Sequence, residues 1–148
     1  MSTENQIQLK GDFRGEEANA AASITPGHLT EETSAGTFQV HSTEGGFAAR
    51  RVAIEDALQG NTITTVYLVG VRVFTNLQVP GNECQMFLKA GENVAIGDKL
   101  ISAGNGTLIA DGSEDSATTV KQIIGIAREA SNLSGSGAVA TLLRVMLQ

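Results

Sequence analysis

Short apolar runs alternating with polar residues at period two dominate this chain, and glycine-bearing turns separate them. Leu100-Ile101 and Leu108-Ile109 flank Asn105-Gly106. That arrangement predicts a hairpin, because the central residues of a tight hairpin turn must reach positive φ at little cost. Cys84, Met86 and Leu88 follow the turn signal Pro80-Gly81-Asn82 and share one strand face. Residues 28–33 and 37–42 form a second expected hairpin across Ser34-Ala35-Gly36, with Phe38 and Val40 on one side and Gln39 and His41 on the other. Residues 51–55 alternate cleanly before 56–60, which reads as a turn or short helix.

The remaining segments extend the same pattern. Residues 64–78 are rich in β-branched side chains and interrupted by Gly70, the mark of one bulged strand or two strands. Residues 17–23 read as a short strand entering the turn at Thr25-Pro26-Gly27, and 110–119 as an exposed acidic loop. Residues 122–128 carry Ile123, Ile124 and Ile126, and 138–147 read as a closing strand apolar on both faces. The first sixteen residues are different. Ile7, Leu9 and Phe13 sit among polar neighbours, with Gly11 and Gly15 breaking any helical period, so the segment reads as an extended arm with one sticky face. The predicted architecture is all-β: a compact small barrel or sandwich of short strands over residues 17–148, few or no helices, and an N-terminal arm over 1–16.

Composition sharpens this picture. Seventeen glycines in 148 residues, spread between apolar runs, fit many tight turns. With five Phe, one Tyr and no Trp, the core must be built from Val, Ile, Leu and Ala. A net charge of -6 disfavours a sequence-independent grip on nucleic acid or anionic membrane, which needs clustered Lys and Arg. One cysteine allows no intrachain disulfide. The polar start lacks a secretory pattern, and no apolar run approaches bilayer-spanning length, so synthesis in the cytoplasm is expected.

Candidate chemistry is sparse. His28 and His41 belong to no metal-ligand spacing, so no metal is expected. Cys84 alternates with Met86 and Leu88 and reads as a core thiol rather than a nucleophile. Adjacent acids such as Glu16-Glu17 and Glu31-Glu32 point to opposite faces of a strand and make no carboxylate pair. Asp98-Lys99 precedes a strand instead of crowning a hairpin tip, which sets it apart from a lipoyl-bearing turn. No nucleophile elbow, phosphate loop or dinucleotide fingerprint is present. The expectation is a protein without catalytic residues or cofactor.

Several stretches, taken in order, carry a resemblance. They are residues 21–29 (Ala-Ala-Ser-Ile-Thr-Pro-Gly-His-Leu), 40–46, 53–60 and 91–108, followed by Ile124-Gly-Ile-Ala-Arg-Glu129. Together they resemble the small capsid decoration, or cement, proteins of tailed bacteriophages, over most of the chain from about residue 18. Tyr67-Leu-Val-Gly70-Val-Arg-Val73 departs from the family's usual pattern by placing Val71 where an Asp is typical. The resemblance implies a β-clip or small-barrel domain on the outside of the mature head, partnered by the major capsid protein and commonly trimeric over threefold positions. It carries over no catalytic residue.

A cement protein needs a rigid body, a tail that gains order on docking, and no affinity for the packaged DNA. On this reading Ile7, Leu9 and Phe13 fill capsid pockets while the arm adds a strand to the major capsid protein. The closing strand supplies the candidate subunit interface through Val139, Leu143 and Val145. Leading residues folded into the molecule's own interior, or a buried pocket with converging polar groups, would contradict the shell-adhesive reading built on that arm. The rival reading is a glycan- or receptor-binding β module on a virion or cell surface, which calls for exposed aromatic platforms, whereas Tyr67 and the five Phe sit mostly on expected core faces. A small hydrolase using Cys84 or His41 ranks third.

Overall fold

The computed structural model describes residues 5–114 and 120–148, so part of the expected acidic loop, 115–119, lies outside the described residues. The strands are β1 (Gln8–Lys10), β2 (Gly15–Asn19), β3 (Leu29–Glu32), β4 (Phe38–Val40), β5 (Arg51–Ala53), β6 (Arg72–Leu77) and β7 (Glu83–Leu88). They continue as β8 (Asn93–Val94), β9 (Lys99–Ser102), β10 (Leu108–Ala110), β11 (Gly125–Ala127), β12 (Ser131–Asn132) and β13 (Thr141–Leu147). One 3-10 turn, Ala57–Gln59, falls where a turn or short helix is expected; Asp56 accepts from the Gln59 N–H and Gly60 closes it in the left-handed region. The chain is all-β.

A closed barrel forms the larger body. Its strands run β7-β10-β9-β11-β13, and β13 returns to β7 in antiparallel register from Thr141↔Leu88 to Met146↔Glu83. Cys84, Met86, Leu88, Leu100, Leu108, Leu143, Val145 and Leu147 fill the interior with essentially no exposure. This aliphatic core is what the sequence, poor in aromatics, has available. The five-stranded sheet β2-β6-β5-β3-β4 packs alongside, and Leu29 and Val52 join the barrel core while Ala53, on the opposite face of β5, belongs to a second cluster. That second core contains Ala20, Ile24, Phe38, Tyr67 and Val73, and a parallel bridge between Ala20 and Phe38 draws the two ends of the sheet together.

Two expected elements take a different local form. The 99–110 hairpin is present, but its loop spans five residues, closed by the Ala103 N–H donating to Thr107 O at 2.9 Å. Gly104 and Gly106 hold the positive φ values, +79° and +80°, and Asn105 instead accepts from the Thr107 N–H and hydroxyl through its side chain. A Cβ at Gly106 would lie 2.8 Å from Cβ of Val40, so glycine is needed there twice over. Of the β-branched run 64–78, only Arg72–Leu77 is strand. Residues 65–71 turn instead because Tyr67 is pinned: its backbone exchanges hydrogen bonds with Ile24, and its hydroxyl donates to Ile54 O at 2.7 Å. Burial pushes the Tyr67 phenol up to about 12.

Candidate functional site

The residues expected to dock on a larger surface are placed by β1 and the segment leading to β2. Ile7 has no exposure and belongs to the barrel core; its N–H donates to the Glu55 carboxylate and its carbonyl accepts from the Gln85 N–H at 2.8 Å. β1 pairs with β7 through Gln8↔Cys84 and Lys10↔Glu83. The Gln8 amide oxygen accepts from Asn76 at 2.7 Å and Gln78 at 2.6 Å, both buried side chains. Leu9 is half-buried and Phe13 is 63% exposed. The expected loose arm over 1–16 is therefore corrected from residue 7 onward. A short alternating segment needs a partner strand, and β7 supplies one within the same chain, so Ile7 is committed to this protein's own interior and unavailable to a capsid pocket.

The expected subunit interface is also corrected. Leu143 and Val145 point into the barrel and are fully buried, whereas Val139 is 70% exposed. On β13, alternation sends Leu143, Val145 and Leu147 inward and leaves Leu142, Arg144 and Met146 half-buried on the outside. Next to Val139, residues Ala140, Thr141 and Leu142 line an open, largely apolar cleft of about 370 Å³ with Thr25, Ile63 and Phe87.

The most distinctive open feature is the outer edge of β2, which ends the five-stranded sheet. Arg14 O accepts from Leu77 N, and Ala20 exchanges backbone hydrogen bonds with Val71 and Gly70, each at 2.8–2.9 Å. The two-residue period then turns Arg14, Glu16, Ala18 and Ala20 toward β6 and the N–H and C=O groups of Gly15, Glu17 and Asn19 away from it. All three outward residues are exposed. β4 reaches this side only at the Ala20–Phe38 bridge, where the Ala21 N–H donates to Phe38 O at 2.7 Å.

A cleft lies on each side of this edge. On one, the Phe13 ring covers Gly15, so close that a Cβ there would meet Cε1 at 2.9 Å, and Phe74, Glu17 and Thr75 complete a hollow of about 240 Å³. On the other, Glu16, Glu17, Glu32, Phe38 and Arg51 line a hollow of about 420 Å³. Arg51 is nearly buried; its Nη2 and Nε lie 2.5 and 2.7 Å from Glu16, and its guanidinium stacks 4.6 Å above the Phe38 ring centroid. Glu17 pairs with Arg72 at 3.5 Å, both side chains about half exposed. Period-two reading of 15–19 could have found this strand, but nothing in the sequence says which strand ends a sheet.

The groups with catalytic potential occupy structural positions. Cys84 has no exposure, and burial pushes its thiol well above the ordinary range, which keeps it protonated. Thiol labelling of the native protein at neutral pH is accordingly expected to be slow and to become complete on unfolding; rapid stoichiometric labelling would contradict this burial. His41 is 2% exposed, within hydrogen-bond distance of Ser102 Oγ at 2.6 Å and Phe47 O at 3.1 Å. Near it, burial raises the Glu31 carboxyl, but hydrogen bonds from Ser42 and Gln39 outweigh that, and it stays below the ordinary range. Desolvation lowers His28, whose ring lies 5.0 Å from that of Phe87. No group of three or more His, Cys, Asp or Glu among the described residues is placed to hold a metal. Of the aromatics, Phe38 and Tyr67 are buried and Phe74 and Phe87 half-buried, whereas Phe47 is 71% exposed, contrary to the core placement expected, and Phe13, expected on the arm, is 63% exposed.

The sequence matches no protein-family profile and no curated protein. The fold does have a solved counterpart, the head fiber gp8.5 N base of bacteriophage phi29. The two share a fold. Their TM-score is 0.57 at 13% identity, and the similarity covers 93% of this chain and 95% of that one, so it spans nearly the whole of both rather than a shared fragment. No helix among the described residues is long and apolar enough to cross a membrane.

Proposed function

We propose that this protein is a structural component of a phage virion that sits on the outside of the head and stabilises the capsid lattice as a decoration protein. One observation carries the reading: end-to-end similarity of fold to the base of a phage head fiber. The sequence resemblance to cement proteins also supports it, as does a net charge of -6, which disfavours a grip on packaged DNA. The partner is the major capsid protein, engaged by the body of the molecule and not by a free leading arm.

A trimer over threefold positions is part of this proposal. Its support is the apolar, uncharged surface around Val139, Leu142, Phe87 and Ile63, whose exposure suits a partly buried contact between copies. Three copies that each touch the shell weakly would bind tightly through effective concentration. No step of this role needs bond chemistry, and the buried, protonated Cys84 fits a protein that is not an enzyme. Purified protein mixed with undecorated heads is expected to co-sediment with them at a saturating ratio. Protein that stays in the supernatant at every ratio would refute shell binding, and bound monomers would refute the trimer.

A further inference from the structure

We infer that the outer edge of β2 is a receiving edge for β-strand addition, and that its occupant is an extended basic segment of the shell protein. This rests on the shell-binding reading for the identity of the partner. The edge itself stands on two features of the structure. The N–H and C=O groups of Gly15 and Glu17 face away from β6 on an exposed strand, beyond the point where β4 bridges Ala20, which is the template that strand addition requires. A cleft also flanks the same strand on each face, where the alternating side chains of an added strand would fall.

Charge selects the occupant. The two clefts together present Glu16, Glu17 and Glu32 against one lining cation, Arg51, which Glu16 already holds at 2.5 Å. A Lys or Arg entering the first cleft meets the Phe13 and Phe74 rings together with the Glu17 carboxylate, combining cation–π and ionic attraction. It would compete with Arg72 for Glu17, a half-exposed pair that yields at small cost. An acidic or purely apolar strand would leave these carboxylates facing like charge or stripped of water. Strand donation thus runs opposite to the direction expected from the sequence: Gln8–Lys10 pair with β7 of the same chain, and the outer edge of β2 receives.

The test uses the full chain and two arms. In the first, native hydrogen exchange is followed with a blocked hexapeptide of alternating threonine and arginine, and with its threonine and glutamate counterpart. The basic peptide is expected to slow exchange at Gly15 and Glu17 by about tenfold or more at saturation, and the acidic one to leave it unchanged. No slowing with the basic peptide, or equal slowing with both, overturns the proposal. In the second arm, Glu17→Pro removes an outward N–H while sparing the β2–β6 ladder, and Glu17→Lys reverses the cleft charge. Both should melt near wild type and bind undecorated heads about tenfold or more weakly than wild type. Variants that melt normally and bind heads like wild type overturn the edge as the docking site. Wild-type protein that answers the basic peptide but ignores heads upholds the edge and removes the shell as its partner.

Discussion

Deleting residues 2–15 is expected to destabilise the whole molecule, with a large fall in the urea midpoint or failure to fold, instead of yielding a well-folded body that merely docks less well. The deletion removes Ile7 from the sealed barrel core, and a buried Ile reduced to Ala alone costs about 2–5 kcal/mol. It also removes the β1 partner of β7 and the Gln8 oxygen that accepts from buried Asn76 and Gln78. Donors left buried without acceptors cost about 1–3 kcal/mol each. Against a typical domain stability of about 5–15 kcal/mol these losses are decisive. Ile7→Ala gives the graded version of the experiment. A truncated protein that unfolds at the wild-type urea concentration would show that the N-terminal segment is the dispensable arm after all.

Leu143→Asp is expected to prevent folding, while Val139→Asp leaves the melting curve near wild type. The two residues are four apart at the end of one chain, yet Leu143 is 1% exposed inside the barrel and Val139 is 70% exposed. An isolated carboxylate among Met86, Leu88 and Leu100 can neither be hydrated nor find a cation, and it breaks the β13–β7 seam that closes the barrel. At Val139 the same charge meets water in the isolated protomer. Its effect appears only between copies, where the proposed trimer should sediment as a smaller species. Circular dichroism melts and analytical ultracentrifugation of both variants check this; similar stability for the two would contradict the burial pattern of β13.

Local pattern was legible in the sequence where it was strong. Cys84, Met86 and Leu88 alternate onto one buried face, 28–42 and 99–110 form hairpins, and 56–60 makes a capped turn, because period and turn chemistry are properties of neighbouring residues. Partnership was not legible. Ile7 and Leu9 carry the same alternation whether the strand beside them comes from this chain or another, and β7 lies more than seventy residues away. The β-branched run before Arg72 looks like strand until the distant Ile24 pairs with Tyr67 and bends it. On β13, where both rows are largely apolar, periodicity alone cannot tell which row the barrel takes.

The same limit governs the functional surface. Glu16 and Glu17 read as solvated charge on a strand, and Phe13 as a docking side chain of an arm. Neither reading foresees that Phe13 folds over Gly15 to wall a cleft, or that Arg51, from β5, completes the one opposite. A barrel that uses its own N-terminal strand to finish its core leaves a different edge unpaired. In the proposed role, adhesion then falls to the folded body, in keeping with a protein whose described residues form strands from Gln8 onward.

A cryo-microscopy map of heads decorated with the full-length protein tests the account most directly. It should show added density on the outer shell surface, with residues 7–10 inside the protein's own barrel and a strand of the shell protein beside β2. Heads that carry no added density, or density in which residues 7–10 have left β7 to lie on the shell, would contradict it.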